Sequence, residues 1–284
     1  MLTRPARIWP SESLPLPLAN QSPTSYADQL GRWYGDRIDD DHRKRHGHYL
    51  TPIPVAQFMG NLAAEGNGPV IRLLDPAAGA GVLAASACES LALAESPPTR
   101  IELVLYEIDA GLVPVLEASI AHLQRWLSRR GIVLEPQLHV RDFVLANAGA
   151  LDASLFPHDE NFDAVICNPP YFKLQRSDPR AQACLLVVHG QPNVYGLFMA
   201  LGAAVFASWR SPCFHHTAVI RQRTLLPALQ GVVLRSRPGD RSARFRIPDR
   251  SVRSGAARNC HHSRNSRRPI AGFFGPSHDQ RRIG

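Results

Sequence analysis

Four short apolar runs set the terms for any fold of this chain. Residues 70–74, 101–106, 133–140 and 162–166 each lead to a polar side chain at or just beyond their end: Asp75, Glu107, Asp142 and Asn168. An Ala/Leu-rich stretch from about Val82 to Ala94 separates the first two runs. Leu112 to Leu127 has helical spacing up to a stop at Gly131. Strands alternating with helices predict an α/β fold, a parallel sheet covered on both faces. Ligands of such sheets sit at the carboxyl ends of the strands, where these four polar residues fall. Upstream, Leu30, Trp33, Tyr34 and Ile38 predict one helix over about 26–45, and Val55, Phe58, Met59 and Leu62 place the inner face of another.

Two loops in this frame carry chemistry. Asp75-Pro76-Ala77-Ala78-Gly79-Ala80-Gly81 leaves a strand and opens a helix. Its glycines let the backbone approach a ligand, and a helix N-terminus favours a carboxylate. Glu107, at the end of the next strand, has the place from which an acidic residue accepts ribose hydroxyls in nucleotide-binding sheets. Asn168-Pro169-Pro170-Tyr171 is sharper, since a given tetrapeptide arises by chance in roughly one chain in a thousand of this length. An amine conjugated to a heteroaromatic ring is a poor nucleophile because its lone pair is delocalised. The Asn168 side-chain oxygen and the Pro169 carbonyl would accept its N–H groups, localise the lone pair and stabilise developing positive charge. Proline has no N–H, so the turn offers acceptors without a competing donor. Tyr171 can stack on an extruded base and offset part of the few kcal/mol lost on unstacking.

From about Arg43 to Ser208 these pieces resemble, in order, the motifs of adenine-N6 DNA methyltransferases of restriction–modification systems. Gly47-His48-Tyr49-Leu50-Thr51-Pro52 is similar to the family's G-x-Y-x-T-P cofactor segment. Residues 75–81 resemble its D-P-x-x-G-x-G loop, with Ala78 where Cys is common and Ala80 where Thr is common. Asn193-Val194-Tyr195-Gly196-Leu197-Phe198 resembles the helix after the catalytic loop. A cofactor segment ahead of the Gly-rich loop, with the catalytic loop later, is the order of the gamma subgroup. The resemblance implies a Rossmann-like S-adenosylmethionine-dependent methyltransferase fold and methyl transfer to N6 of a flipped adenine in double-stranded DNA. Tyr49, Thr51, Asp75, Gly79, Gly81, Glu107 and Asp142 would hold S-adenosylmethionine, with Asp142 near its adenine. Asn168, Pro169, Pro170 and Tyr171 would be catalytic. The same Asn-Pro-Pro-Tyr loop also serves glutamine-N5 methyltransferases of release factors and some RNA adenine methyltransferases, and that alternative stays open.

Charge divides the chain. Residues 1–208 carry 16 Lys and Arg against 21 Asp and Glu, whereas residues 209–284 carry 16 Arg, no Lys and 3 Asp. The net charge of +8 therefore belongs to the tail. That tail lacks Glu, Lys and Tyr and has neither helical nor strand periodicity. Cys213 and Cys260, each beside paired histidines, fit no zinc spacing, so no metal is expected. Shifting the reading frame by one nucleotide from about Trp209 turns Trp209 into glycine, Cys213 into Val or Ala, and His215 and His216 into Ile or Thr. The result reads as the turn and strand the family has next. The expected organisation is a lead-in and helix over 1–46, a catalytic domain over 47–208 and an out-of-frame, non-folding tail over 209–284. The fold would be incomplete at its C-terminal side, with the 162–166 strand left as an open edge, and the chain as written an inactive copy or a non-catalytic remnant. Five cysteines, no apolar run of membrane-spanning length and a lead-in broken by Pro5, Pro10, Pro15 and Pro17 predict a cytoplasmic protein without export signal or membrane partner.

Overall fold

The computed structural model describes residues 14–46, 50–64, 68–151, 162–188, 190–206 and 232–235. The chain divides into two units, Met1–Arg244 and Phe245–Gly284, and every described residue belongs to the first.

The alternation read from the sequence builds a mixed α/β fold. Strands β1 (Val70–Asp75), β2 (Arg100–Glu107), β3 (Val133–Val140) and β4 (Ala164–Cys167) run parallel in the order β3-β2-β1-β4. The period-2 alternation of a strand sorts their side chains. Leu73, Leu103, Leu105 and Ile166 join one core cluster with helices α3 (Ile53–Ala63), α4 (Val82–Ala92) and α5 (Val113–Ser128). Leu74, Val104, Tyr106 and Val165 join another with α6 (Phe143–Asn147) and α8 (Val194–Phe206). Helices thus cover both faces, as parallel sheets require.

Three local features differ from the sequence expectation. The helix expected over 26–45 is two helices, α1 (Pro23–Gly35) and α2 (Asp40–His46). Ser22 caps α1 through its side chain, which accepts from Ser25 N–H, and Pro23 occupies its first turn. In α3 the buried face is Ala56, Met59, Gly60 and Ala63, while Val55 and Leu62 are only partly buried and Phe58 is exposed. Small residues win there because α3 lies hard against α4: a Cβ at Gly60 would fall 2.7 Å from the Ser86 backbone. Finally, the edge of β4 expected to be open is paired. Val232–Arg235 form β5, antiparallel to β4, with Ala164 opposite Arg235 and Cys167 opposite Val232. The rest of 209–284 lies outside the described residues, and with it the out-of-frame reading. No helix among the described residues is long and apolar enough to cross a membrane.

Candidate active site

The carboxyl ends of β1, β2 and β4 open on one cavity of about 410 Å3, within the roughly 300–1,000 Å3 usual for small-molecule sites. Thr51, Gly79, Glu107, Asp142, Asn168 and Pro170 all line it, so residues scattered over 120 positions of sequence meet as expected. Tyr49 lies outside the described residues. Asp75, Gly81, Pro169 and Tyr171 do not line the cavity.

Asp75 sits beneath the Gly-rich loop rather than in it. It is wholly buried; its Oδ1 accepts from Ala77 N–H at 3.2 Å and its Oδ2 has no hydrogen-bond partner. Burial pushes its carboxyl up to about 7, and the nearby Glu107 charge pushes the same way. The loop is tied instead to β2: Ala78 N–H donates to the Tyr106 carbonyl at 3.0 Å, and Gly79 N–H to Glu107 Oε2 at 2.9 Å. Glu107 Oε1 accepts from Asp109 N–H at 2.8 Å. Gly79 has φ +56° and a Cβ there would meet nothing within 4 Å, so this glycine leaves space along the cavity wall. Gly81, at φ +85°, begins α4 and packs on α5, where a Cβ would come within 3.1 Å of Leu116.

Opposite the loop stands an aromatic wall. Tyr106 meets Phe143 edge-on at 5.2 Å between ring centroids, and Phe143 meets Phe198 at 5.3 Å. Asp142 caps α6 by accepting from Leu145 N–H at 3.0 Å, and Arg180 Nη1 stands 3.9 Å from its other oxygen. Arg180 begins from α7 (Pro179–Ala183), where Asp178 pairs with it at 2.9 Å. Open space at Gly79, an acidic strand end at Glu107 and aromatic rings beside Asp142 together suit a nucleoside-bearing cofactor.

The 168–171 loop leaves β4 and is held at its exit. Val194 N–H donates to the Phe172 carbonyl and Leu174 N–H to the Pro192 carbonyl, at 3.1 and 2.9 Å. Asn168 Nδ2 donates to Thr51 Oγ1 at 3.1 Å, and Tyr171 O–H to Asn168 Oδ1 at 3.4 Å. Tyr171 is 41% exposed, and its ring stacks on Tyr195 with centroids 5.2 Å apart and planes 22° apart.

Sequence reasoning missed the contribution of α1 and α2. Tyr34, Arg43 and His46 line the cavity, and both Tyr34 O–H and His42 Nε2 lie 2.6 Å from Asp109 Oδ2. His42, His46 and Asp109 are close enough together to suggest a metal. The 2.6 Å contact is that of a hydrogen-bonded pair; ligands about 2.0–2.1 Å from one tetrahedral ion stand on the order of 3.3 Å apart. The cluster is a polar latch of α2 onto the end of β2. No sequence signal marks it, because the partners are 67 and 75 residues apart.

Comparison with known proteins decides the family. The profile described as N-6 DNA Methylase matches residues 27–183, more than half the chain. The chain belongs to that family. Among its relatives, the type II methyltransferase M.BsuBI of Bacillus subtilis is 29% identical over 178 residues, covering 59% of this chain and 34% of that protein. The type II methyltransferase M.AccI of Acinetobacter calcoaceticus is 25% identical over 180 residues, 61% of this chain and 28% of that protein. The match thus spans about a third of the length of the first relative and just over a quarter of the second. In three dimensions it is similar to a class I S-adenosylmethionine-dependent methyltransferase structure from Listeria monocytogenes, with TM-score 0.50 and 16% identity over 82% of this chain and 74% of that one. At that identity the likeness establishes the fold.

Proposed function

We propose that residues 47–208 are the catalytic part of a cytoplasmic, site-specific DNA methyltransferase that acts on N6 of adenine in a restriction–modification system. The observation that carries this reading is the placement of Asn168 and Pro170 on the same cavity as Gly79, Glu107 and Asp142. S-adenosylmethionine, when bound, supplies an electrophilic methyl group. Thr51, Gly79 and Glu107 would hold its amino-acid and ribose parts, and Asp142 with the aromatic wall its adenine. A flipped adenine would enter beside Tyr171, whose exposed ring can stack on it at the mouth. Asn168 Oδ1, on the cavity, would accept one amine N–H bond, and the Pro169 carbonyl, beside the lining, would turn to it to accept the other. This would concentrate the lone pair on nitrogen and stabilise the positive charge that develops as the N–C bond forms and the methyl–sulfur bond breaks, its electron pair going to sulfur to leave a neutral thioether. The amine proton then leaves to solvent.

The out-of-frame reading of 209–284 belongs to the same proposal. The chain as written is expected to bind cofactor without turnover, and the frame-corrected chain to methylate duplex DNA. The test incubates both with methyl-labelled cofactor and duplex DNA, RNA or a release-factor substrate, then digests the products. Label in N6-methyladenine from DNA, abolished by Asn168→Ala, supports the reading. Label in RNA or glutamine, or turnover by the chain as written, overturns the corresponding part.

A further inference from the structure

An asparagine amide can face a substrate in two ways, and only one is productive. With its oxygen forward Asn168 accepts from an amine; turned by 180° it presents two N–H donors to the amine's own N–H groups, which repels it. We infer that Thr51 is a positioning residue that fixes the productive orientation of the Asn168 amide. This rests on the proposed function, because the orientation matters only if Asn168 serves as an acceptor.

The amide is held at both ends. Its nitrogen donates to Thr51 Oγ1 at 3.1 Å, and its oxygen accepts from Tyr171 O–H at 3.4 Å. A hydroxyl alone would tolerate either orientation, since it donates as well as accepts. The Tyr171 hydroxyl can do both as well, so the choice falls to whatever fixes the Thr51 hydroxyl proton. The two holds differ in permanence. The Tyr171 contact is the longer, and its ring is 41% exposed at the place where a base would stack, so it yields when a target amine claims Oδ1. Thr51 is 7% exposed, on the residue before Pro52, which caps α3. It keeps the amide nitrogen while Tyr171 releases the oxygen. Because Thr51 also lines the cavity, a bound acceptor that takes its hydroxyl proton commits its oxygen to the amide nitrogen. Cofactor and target sites are thereby joined through one hydroxyl.

The test reads the amide directly in the full chain by nuclear magnetic resonance. The Asn168 side-chain NH2 signals are assigned as the pair lost in Asn168→Asp. They are expected to show a nuclear Overhauser contact to the Thr51 side chain, to stay in place in Thr51→Ser, and to shift towards solvent-exposed asparagine values in Thr51→Val. Signals unmoved by Thr51→Val, or no contact to Thr51 in the folded wild-type chain, overturn the inference. The wild-type measurement decides even if the valine variant does not fold. Calorimetric titration of the same samples with S-adenosylmethionine judges the reading of the cavity separately. Absent binding with intact amide signals refutes that reading and leaves the orientation as found.

Discussion

Asp75 is kept against its electrostatics. A buried carboxylate with one unpartnered oxygen and Glu107 nearby resists ionisation, so its folded pKa rises to about 7. An unfolded aspartate ionises near pH 3.9. Between about pH 4 and 7 the unfolded chain therefore releases a proton that the folded chain retains, and stability falls as pH rises until it levels above 7. Over about three units the loss is roughly 4 kcal/mol. Urea midpoints measured across this window should fall in the wild-type chain relative to Asp75→Asn; parallel curves for the two proteins would refute the assignment. Glu107 accepts from both Gly79 N–H and Asp109 N–H. Glu107→Gln turns one acceptor into a donor facing an N–H. At about 1.5–3 kcal/mol for a charged hydrogen bond, cofactor affinity should drop at least about tenfold, as calorimetry would show.

At the scale of elements, the contact of α3 with α4 bears on how close Thr51, just ahead of α3, comes to Asn168 beyond β4. Gly60 makes that contact possible, and Gly60→Ala tests it. Alanine favours a helix over glycine by about 1 kcal/mol. Its Cβ would meet the Ser86 backbone at 2.7 Å, which no rotamer change relieves, and overpacking of this kind costs about 1–3 kcal/mol. The clash is the larger effect, so thermal denaturation should show a lowered midpoint; a raised midpoint would mean that α3 sits farther from α4. The pairing of β5 with β4 bears on the same region. It gives the strand that leads into the 168–171 loop a backbone partner on each side, β1 and β5. The open edge expected from the character of the tail does not arise along those four residue pairs.

For the whole molecule, the separation of charge matters more than its total. The excess of acidic groups up to residue 208 disfavours a polyanion on average, whereas sixteen arginines beyond it attract one. The full chain is expected to bind duplexes of any sequence equally, with affinity falling steeply and log-linearly as salt is raised. A footprint confined to one sequence would show a genuine recognition element and refute the out-of-frame reading of the tail.

What the sequence determined by itself was local. Strand–helix alternation follows from hydrophobic periods of 2 and 3.6 and from polar residues at strand ends, and these suffice to put Glu107, Asp142 and Asn168 on one rim of the sheet. The 168–171 loop could be singled out for the same reason: its four residues are contiguous, and the chemistry proposed for them depends on their own backbone and side chains. Tertiary structure alone decided that Asp75 lies under the loop, that Arg180 approaches Asp142, and that α2 latches to Asp109 through His42. It also decided that Thr51, read as a cofactor residue, touches Asn168 across 117 positions of sequence. Such contacts depend on how closely α3 can approach α4 and β4, a matter of Gly60 and packed small side chains that no period in the sequence encodes.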